Sequence, residues 1–142
     1  MTRISFLHGA SDRLQAMASW LVQASREGHR VVVYVPVAED RDRLDRLLWV
    51  HPATAFLPHC LASSGLAEET PVVLATGLDQ TPHDECLLNL SNDVPPGFGR
   101  FEHLVEIVST ADDDKLPGRE RFRFYRERGY SLEARDISGD MA

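Results

Sequence analysis

The six residues Arg30 to Val35, Arg-Val-Val-Val-Tyr-Val, constrain the fold of this chain more than any other stretch. The run is apolar and β-branched with no polar residue alternating through its interior. A strand of that kind is covered on both faces, as in a parallel sheet with helices on either side. The flanking segments fit the same scheme. Ile4 to Leu7 reads as a first short strand ending at Gly9. Ser11 is a plausible N-cap for a helix running to about Glu27, with Leu14, Met17, Ala18, Leu21 and Val22 at helical spacing and Gly28 as its stop. Pro36 ends the second strand, and a second helix is predicted from about Glu39 to Trp49 with Leu44, Leu47 and Leu48 inward. Glu39–Arg43 and Asp42–Arg46 stand at i,i+4 on its wet side, and Asp45 reads as part of that solvated face.

Further along, residues 60 to 70 read as a loop of small and acidic residues, Pro71 to Ala75 as a third strand and Glu85 to Asn89 as a fourth. Ser91 to Gly99, with Pro95-Pro96-Gly97, is a turn region. Phe101, Leu104, Val105, Ile107 and Val108 then predict a helix. The acidic run Asp112-Asp113-Asp114 precedes a last helix that starts near Pro117 and closes at Gly129, and Tyr130 to Ala134 gives a final strand. The alternation predicts an α/β fold: a Rossmann-like open, mostly parallel sheet with helices on both faces. At 142 residues, with no internal repeat or linker, the chain is expected to form one domain over residues 1–142.

The chemistry motifs that such a fold invites are missing. After the first strand stands His8-Gly9-Ala10-Ser11 rather than GxGxxG, and no GxxxxGK[ST] occurs, so no nucleotide cofactor is expected. His83-Asp84-Glu85-Cys86 packs four potential ligands side by side, but neighbours on a strand point to opposite faces, and no second cluster completes a tetrahedral site. No metal is expected. His59-Cys60 lacks any nucleophile elbow, and His59 after Phe-Leu-Pro reads as a structural histidine bonded to its own loop. No catalytic residue is assigned. The competing reading is an α/β nucleotide-binding protein or small enzyme using the crevice near Gly9 at the C-terminal ends of the strands. Cys60 and Cys86 are expected to be free thiols, and no apolar run approaches 18 residues, so no membrane span is expected. The first residues lack the apolar core of a signal peptide, and a cytoplasmic location is expected.

Charge narrows the partners. The net charge of −7 argues against direct nucleic-acid binding, which needs a broad basic face. Yet residues 115 to 128 hold Lys115, Arg119, Arg121, Arg123, Arg126 and Arg128 against only Glu120 and Glu127, a window of +4 in a remainder of −11. At 100° per residue, Arg119, Phe122, Arg123 and Arg126 share one helix face, with Tyr125 beside Phe122, while Arg121, Phe124 and Arg128 look elsewhere. An aromatic ring among guanidinium groups suits a ligand with acidic residues, a terminal carboxylate and an apolar end group. A solvated helix whose arginines pair with local acids such as Asp112 to Asp114 reads the same way.

Several short blocks, in order, resemble one family. They are Phe6-Leu7, Leu44-Asp45 with Leu48-Trp49, Phe56-Leu57-Pro58-His59, Pro71-Val72, Leu88-Asn89-Leu90, Phe101 with Glu106-Ile107-Val108, and Arg119, Arg121, Tyr125-Arg126 and Gly129. Together they resemble the chi subunit of bacterial DNA polymerase III, a clamp-loader accessory, over essentially the whole chain. The resemblance implies a Rossmann-like domain without catalytic activity. It also implies a heterodimer with the psi subunit of the clamp loader, and capture of the acidic C-terminal tail of single-stranded DNA-binding protein. By position, the tail pocket should involve Val108, Lys115, Arg119 and Phe122. The family position at Phe122 can be tyrosine, and Pro117-Gly118 departs from the more helical residues expected there. Trp49, Pro52 and Phe56 match the other surface, where psi, or a helicase competing for chi, is expected to dock. Buried core aromatics would look identical in sequence.

Overall fold

A computed structural model describes residues 2–50, 57–79 and 81–138. Its elements in chain order are β1 (Arg3–Ala10), α1 (Arg13–Arg26), β2 (Val31–Tyr34), α2 (Ala38–Val50), β3 (His59–Leu61), β4 (Val72–Ala75), β5 (Cys86–Asn89), β6 (His103–Ser109), α3 (Asp112–Glu127) and β7 (Ser131–Asp136). The strands form a seven-stranded sheet in the order β3-β4-β2-β5-β6-β1-β7, and each pairing is parallel. The expected α/β architecture stands, with the sheet parallel throughout.

The β2 run is buried from end to end, and it splits its side chains between two apolar clusters. Val31, Val33 and Val35 join Met17 and Leu21 of α1 and Leu44 and Leu48 of α2 on one face. Val32 and Tyr34 join Ile4, Leu104, Phe98, Phe101 and Tyr125 of α3 on the other. Each fully buried large side chain contributes about 1.5–3 kcal/mol, so both helical layers are held by the strand that first suggested them.

Several boundaries differ from the sequence reading. The predicted helix over Phe101–Val108 is strand β6, which lies between β5 and β1. A short apolar run does not separate helix from strand by periodicity, and here position inside the sheet decides. The last helix begins at Asp112, five residues before the expected start near Pro117. The acidic run is therefore its first turn, where carboxylates face the positive end of the helix dipole. Asp114 also accepts the Ser109 N–H at 2.6 Å and pairs with Arg13 at 3.2 Å. Those contacts secure the turn ahead of Pro117, which sits inside the helix.

Asp12, rather than Ser11, caps α1 by accepting the Gln15 N–H at 2.9 Å. Residues 59–61, expected as the start of a loop or its flank, form edge strand β3. The last strand extends to Asp136 and occupies the opposite edge.

Candidate functional site

Strand β1 puts Ile4, Phe6 and His8 on the face that α3 covers, by simple alternation. Ile4 packs into the apolar cluster with Tyr125, but Phe6 and His8 lie nearer the C-terminal end of the strand and face a hollow instead. The hollow, of about 440 Å³, is lined from the sheet by Phe6, His8, Val108 of β6 and Ala134 of β7. From α3 it is lined by Lys115, Arg119, Phe122, Arg123 and Arg126. Gly118 lets the helix come this close: a Cβ there would stand 2.7 Å from Val108 Cγ1 and 3.7 Å from Phe6 Cζ. Phe122 meets Phe6 edge-on, with ring centroids 5.1 Å apart, and Arg126 holds its guanidinium 5.9 Å from the Phe122 centroid.

All four residues assigned to a binding pocket by sequence, Val108, Lys115, Arg119 and Phe122, thus line one hollow. Val108 is buried and forms part of its base, whereas Arg119 is exposed. Lys115 lies 3.9 Å from Asp112, and Arg123 lies 3.5 Å from Glu120, both as surface pairs of little energetic weight. Among the described residues Arg119 has no ion pair or hydrogen bond. The helix is therefore not one whose cations are all neutralised locally. Phe6, His8 and Ala134 were not among the assigned residues; the i,i+2 line from Ile4 carried the signal for the first two.

The α3 cation that turns inward fixes the helix. Arg121 is 2% exposed, and its Nε donates to Glu106 Oε2 at 3.1 Å. The same carboxylate oxygen accepts from the Tyr125 hydroxyl at 2.6 Å and from Asn89 Nδ2 at 2.9 Å. Burial, followed by the Glu106 charge and hydrogen bond, raises the Tyr125 hydroxyl far above its ordinary pKa, so it stays a donor. Arg121 Nη1 also donates to the Asn92 carbonyl at 3.2 Å. This network grips α3 on the side away from the hollow and leaves Arg119, Phe122, Arg123 and Arg126 outward.

An arginine stands at the strand-end crevice of the competing reading. Arg13, at the start of α1, donates to the carbonyls of Ile107 at 2.8 Å, Asn89 at 3.1 Å and Ser91 at 3.0 Å. Its guanidinium thus binds carbonyls at the C-terminal ends of β5 and β6, the side of an open α/β sheet on which ligands rest. Near Gly9 the Asp136 carboxylate stands so close that a Cβ would meet it at 2.6 Å, an unwelcoming charge for a phosphate.

A second hollow of about 440 Å³ lies at the other ends of the strands, among Arg3, Arg30, Glu27, Glu85, Glu102 and His103. Its mixed charges select no sign of ligand. Burial pushes the Cys86 thiol there up to about 12, so it is no thiolate near neutrality. Cys60 and Cys86 are both free. Among the described residues no three of histidine, cysteine, aspartate and glutamate converge as metal ligands, and no helix is long and apolar enough to cross a membrane.

The other assigned surface lies at the far edge of the sheet. Trp49 is 64% exposed at the end of α2, with its ring 4.8 Å from that of His59. His59 Nδ1 donates to the Leu57 carbonyl at 3.0 Å, the structural role read from sequence. Its Nε2 lies 3.2 Å from Asp45, off the line of a hydrogen bond, so Asp45 is not simply part of the solvated face. Of the helix pairs read from sequence, Arg43–Glu39 forms at 2.7 Å, while Asp42 turns to Arg41 at 3.3 Å. Pro52 and Phe56 lie outside the described residues.

The family model described as "DNA polymerase III chi subunit, HolC" matches residues 1–133. DNA polymerase III subunit chi of Pseudomonas aeruginosa is 34% identical over 137 residues, covering 94% of this chain and 95% of that protein. The subunit of the same name from Escherichia coli (strain K12) is 32% identical over 125 residues, covering 87% and 85%. That from Haemophilus influenzae is 24% identical over 113 residues, covering 79% and 78%.

Proposed function

Because the chain belongs to the DNA polymerase III chi subunit family, we propose that it is a non-catalytic adaptor of the replicative polymerase. One side receives the acidic C-terminal tail of single-stranded DNA-binding protein, and the other docks the psi subunit of the clamp loader. The observation that carries this reading is the hollow between α3 and β1, whose lining an exposed Arg119 shares with Lys115, Arg126 and the Phe122 ring. A tail ending in an apolar residue with a free carboxylate matches it group for group. Guanidinium takes the carboxylate, Phe6 and Phe122 take the apolar side chain, and the remaining cations face the acidic residues upstream.

The psi side rests on Trp49, together with Pro52 and Phe56 by sequence. An exposed tryptophan at a helix end is the type of residue that anchors a protein interface. The two surfaces belong to opposite ends of the strand order, since His59 beside Trp49 is on β3 while the hollow lies over β6, β1 and β7. At about 4.8 Å between strands, they are separated by roughly 20–25 Å. That separation supports binding of both partners at once, which is what joining a clamp loader to coated template requires. A helicase docking at the Trp49 surface would compete with psi and not with the tail. Work of this kind belongs in the cytoplasm.

The test uses intact partners. This protein, immobilised, is challenged with full-length single-stranded DNA-binding protein and with the same protein lacking its last few residues, with and without psi. Retention of the full-length form alone, unaffected by psi, is expected. Equal retention of both forms would refute the tail reading, and displacement of the tail by psi would refute the two-surface arrangement.

A further inference from the structure

His8 gives the hollow a group that the neighbouring arginines cannot supply, a charge that changes near neutral pH. Pairing between β1 and β6 slips between Leu7 and Ala10, and Gly9 adopts φ 84° within that irregularity. This is the geometry of a bulge that re-aims a side chain at the end of a strand. His8 is half-buried and shares the hollow with Lys115, Arg119, Arg123 and Arg126 of α3. From β7, the residue in register with it is Asp136, whose carboxylate already accepts the Ser138 N–H at 2.8 Å. The adjacent β7 cation is Arg135, in register with Leu7. From β6 the lining residue is the apolar Val108, and Asp114 beyond it is committed to Arg13 and to the Ser109 N–H.

A carboxylate-bearing peptide end that enters the hollow brings negative charge to the imidazole that lines it. Resting on the tail-binding reading above, we infer that His8 is an ionisable member of the binding groove and takes up a proton when an acidic peptide terminus enters. Imidazole is the ordinary side chain that changes charge between pH 5 and 8, whereas peptide carboxylates stay ionised above about pH 5.5 and arginine and lysine stay charged. Uptake of protons on binding means that affinity rises as pH falls, by less than tenfold per pH unit for one group.

Calorimetric titration of a synthetic acidic peptide with an apolar last residue and a free carboxylate tests this in the whole protein. Runs at pH 8.0 and 6.0, in buffers of different ionisation enthalpy, count the protons taken up. The wild type is expected to bind about three- to tenfold more tightly at the lower pH, with uptake of part of one proton. His8→Gln is expected to bind with little pH dependence and little uptake. Proton resonances of the histidine rings in the wild type, assigned against that variant, give a second measure that does not depend on the variant's stability. The His8 ring is expected to titrate at higher pH when peptide is bound. Identical uptake in the two proteins, or a His8 titration unmoved by peptide, would overturn the inference. Failure of the peptide to bind at either pH would instead overturn the tail-binding reading.

Discussion

Gly118 of α3 lies directly against Val108 of β6, leaving 2.7 Å between a would-be Cβ and Val108 Cγ1. The glycine is what lets the basic helix settle close to the sheet. Gly118→Ala gains about 0.8–1 kcal/mol of helix propensity but forces overpacking that costs about 1–3 kcal/mol. The clash is expected to win, with a net loss near 1 kcal/mol and a melting temperature lowered by about 2–4 °C. In a Val108→Ala background the same substitution should be neutral or stabilising, a coupling that a double-mutant cycle reads directly. Additive effects would show that the contact does not govern the helix position.

Arg121 and Glu106 form a buried ion pair at 3.1 Å, with side chains 2% and 0% exposed. Arg121→Met leaves Glu106 without its counter-charge and is expected to cost about 3–5 kcal/mol in denaturant unfolding. Arg123→Met, on the exposed face, should change stability by about 0.5 kcal/mol or less. Similar losses for both would remove the distinction between anchoring and outward cations.

Trp49 is exposed, so Trp49→Ala should alter stability by less than about 1 kcal/mol, mostly through the lost His59 ring contact. Its cost should appear in psi binding, at about 2 kcal/mol or more. Large destabilisation with unaltered psi affinity would return Trp49 to a core role.

Burial, followed by the charges of Arg3 and His29, holds the His103 pKa below the ordinary histidine value, and burial acts likewise on His83. The unfolded chain therefore binds protons first as the solution is acidified. Stability from these neutral rings is whole above about pH 6.5 and is lost as pH falls below that value. The melting temperature is expected to drop between pH 7.5 and 5.5, and to drop less in His103→Gln. An equal drop in the variant would assign the pH dependence elsewhere.

Much of this was legible in the sequence because single residues had only one place to go. The unbroken run at 30–35 requires a doubly covered strand, and helical spacing alone sets Arg119, Phe122, Arg123 and Arg126 on one face. What was not legible depended on long-range partners. Residues 103–109 pair with β5 and β1, and no local pattern distinguishes that from a buried helix. Asp114 reads as a loop acid until Arg13 and the Ser109 N–H, far off and five residues back, are placed beside it. Glu106 gave no sign of being buried, because its partners Arg121, Tyr125 and Asn89 come from two other elements. Phe6 and His8 were hidden for the same reason: alternation gives their face, but only the sheet order brings that face to α3.

The most direct test is the affinity of the single-stranded DNA-binding protein tail peptide for the wild type and for Arg119→Ala. Loss of one charge-assisted contact is worth about 1.5–3 kcal/mol, so the variant is expected to bind roughly 10–100-fold more weakly. Wild-type binding should also weaken as salt rises, because the contacts are exposed to screening. Equal affinities for the two proteins would contradict the assignment of the α3 groove as the place where the tail is held.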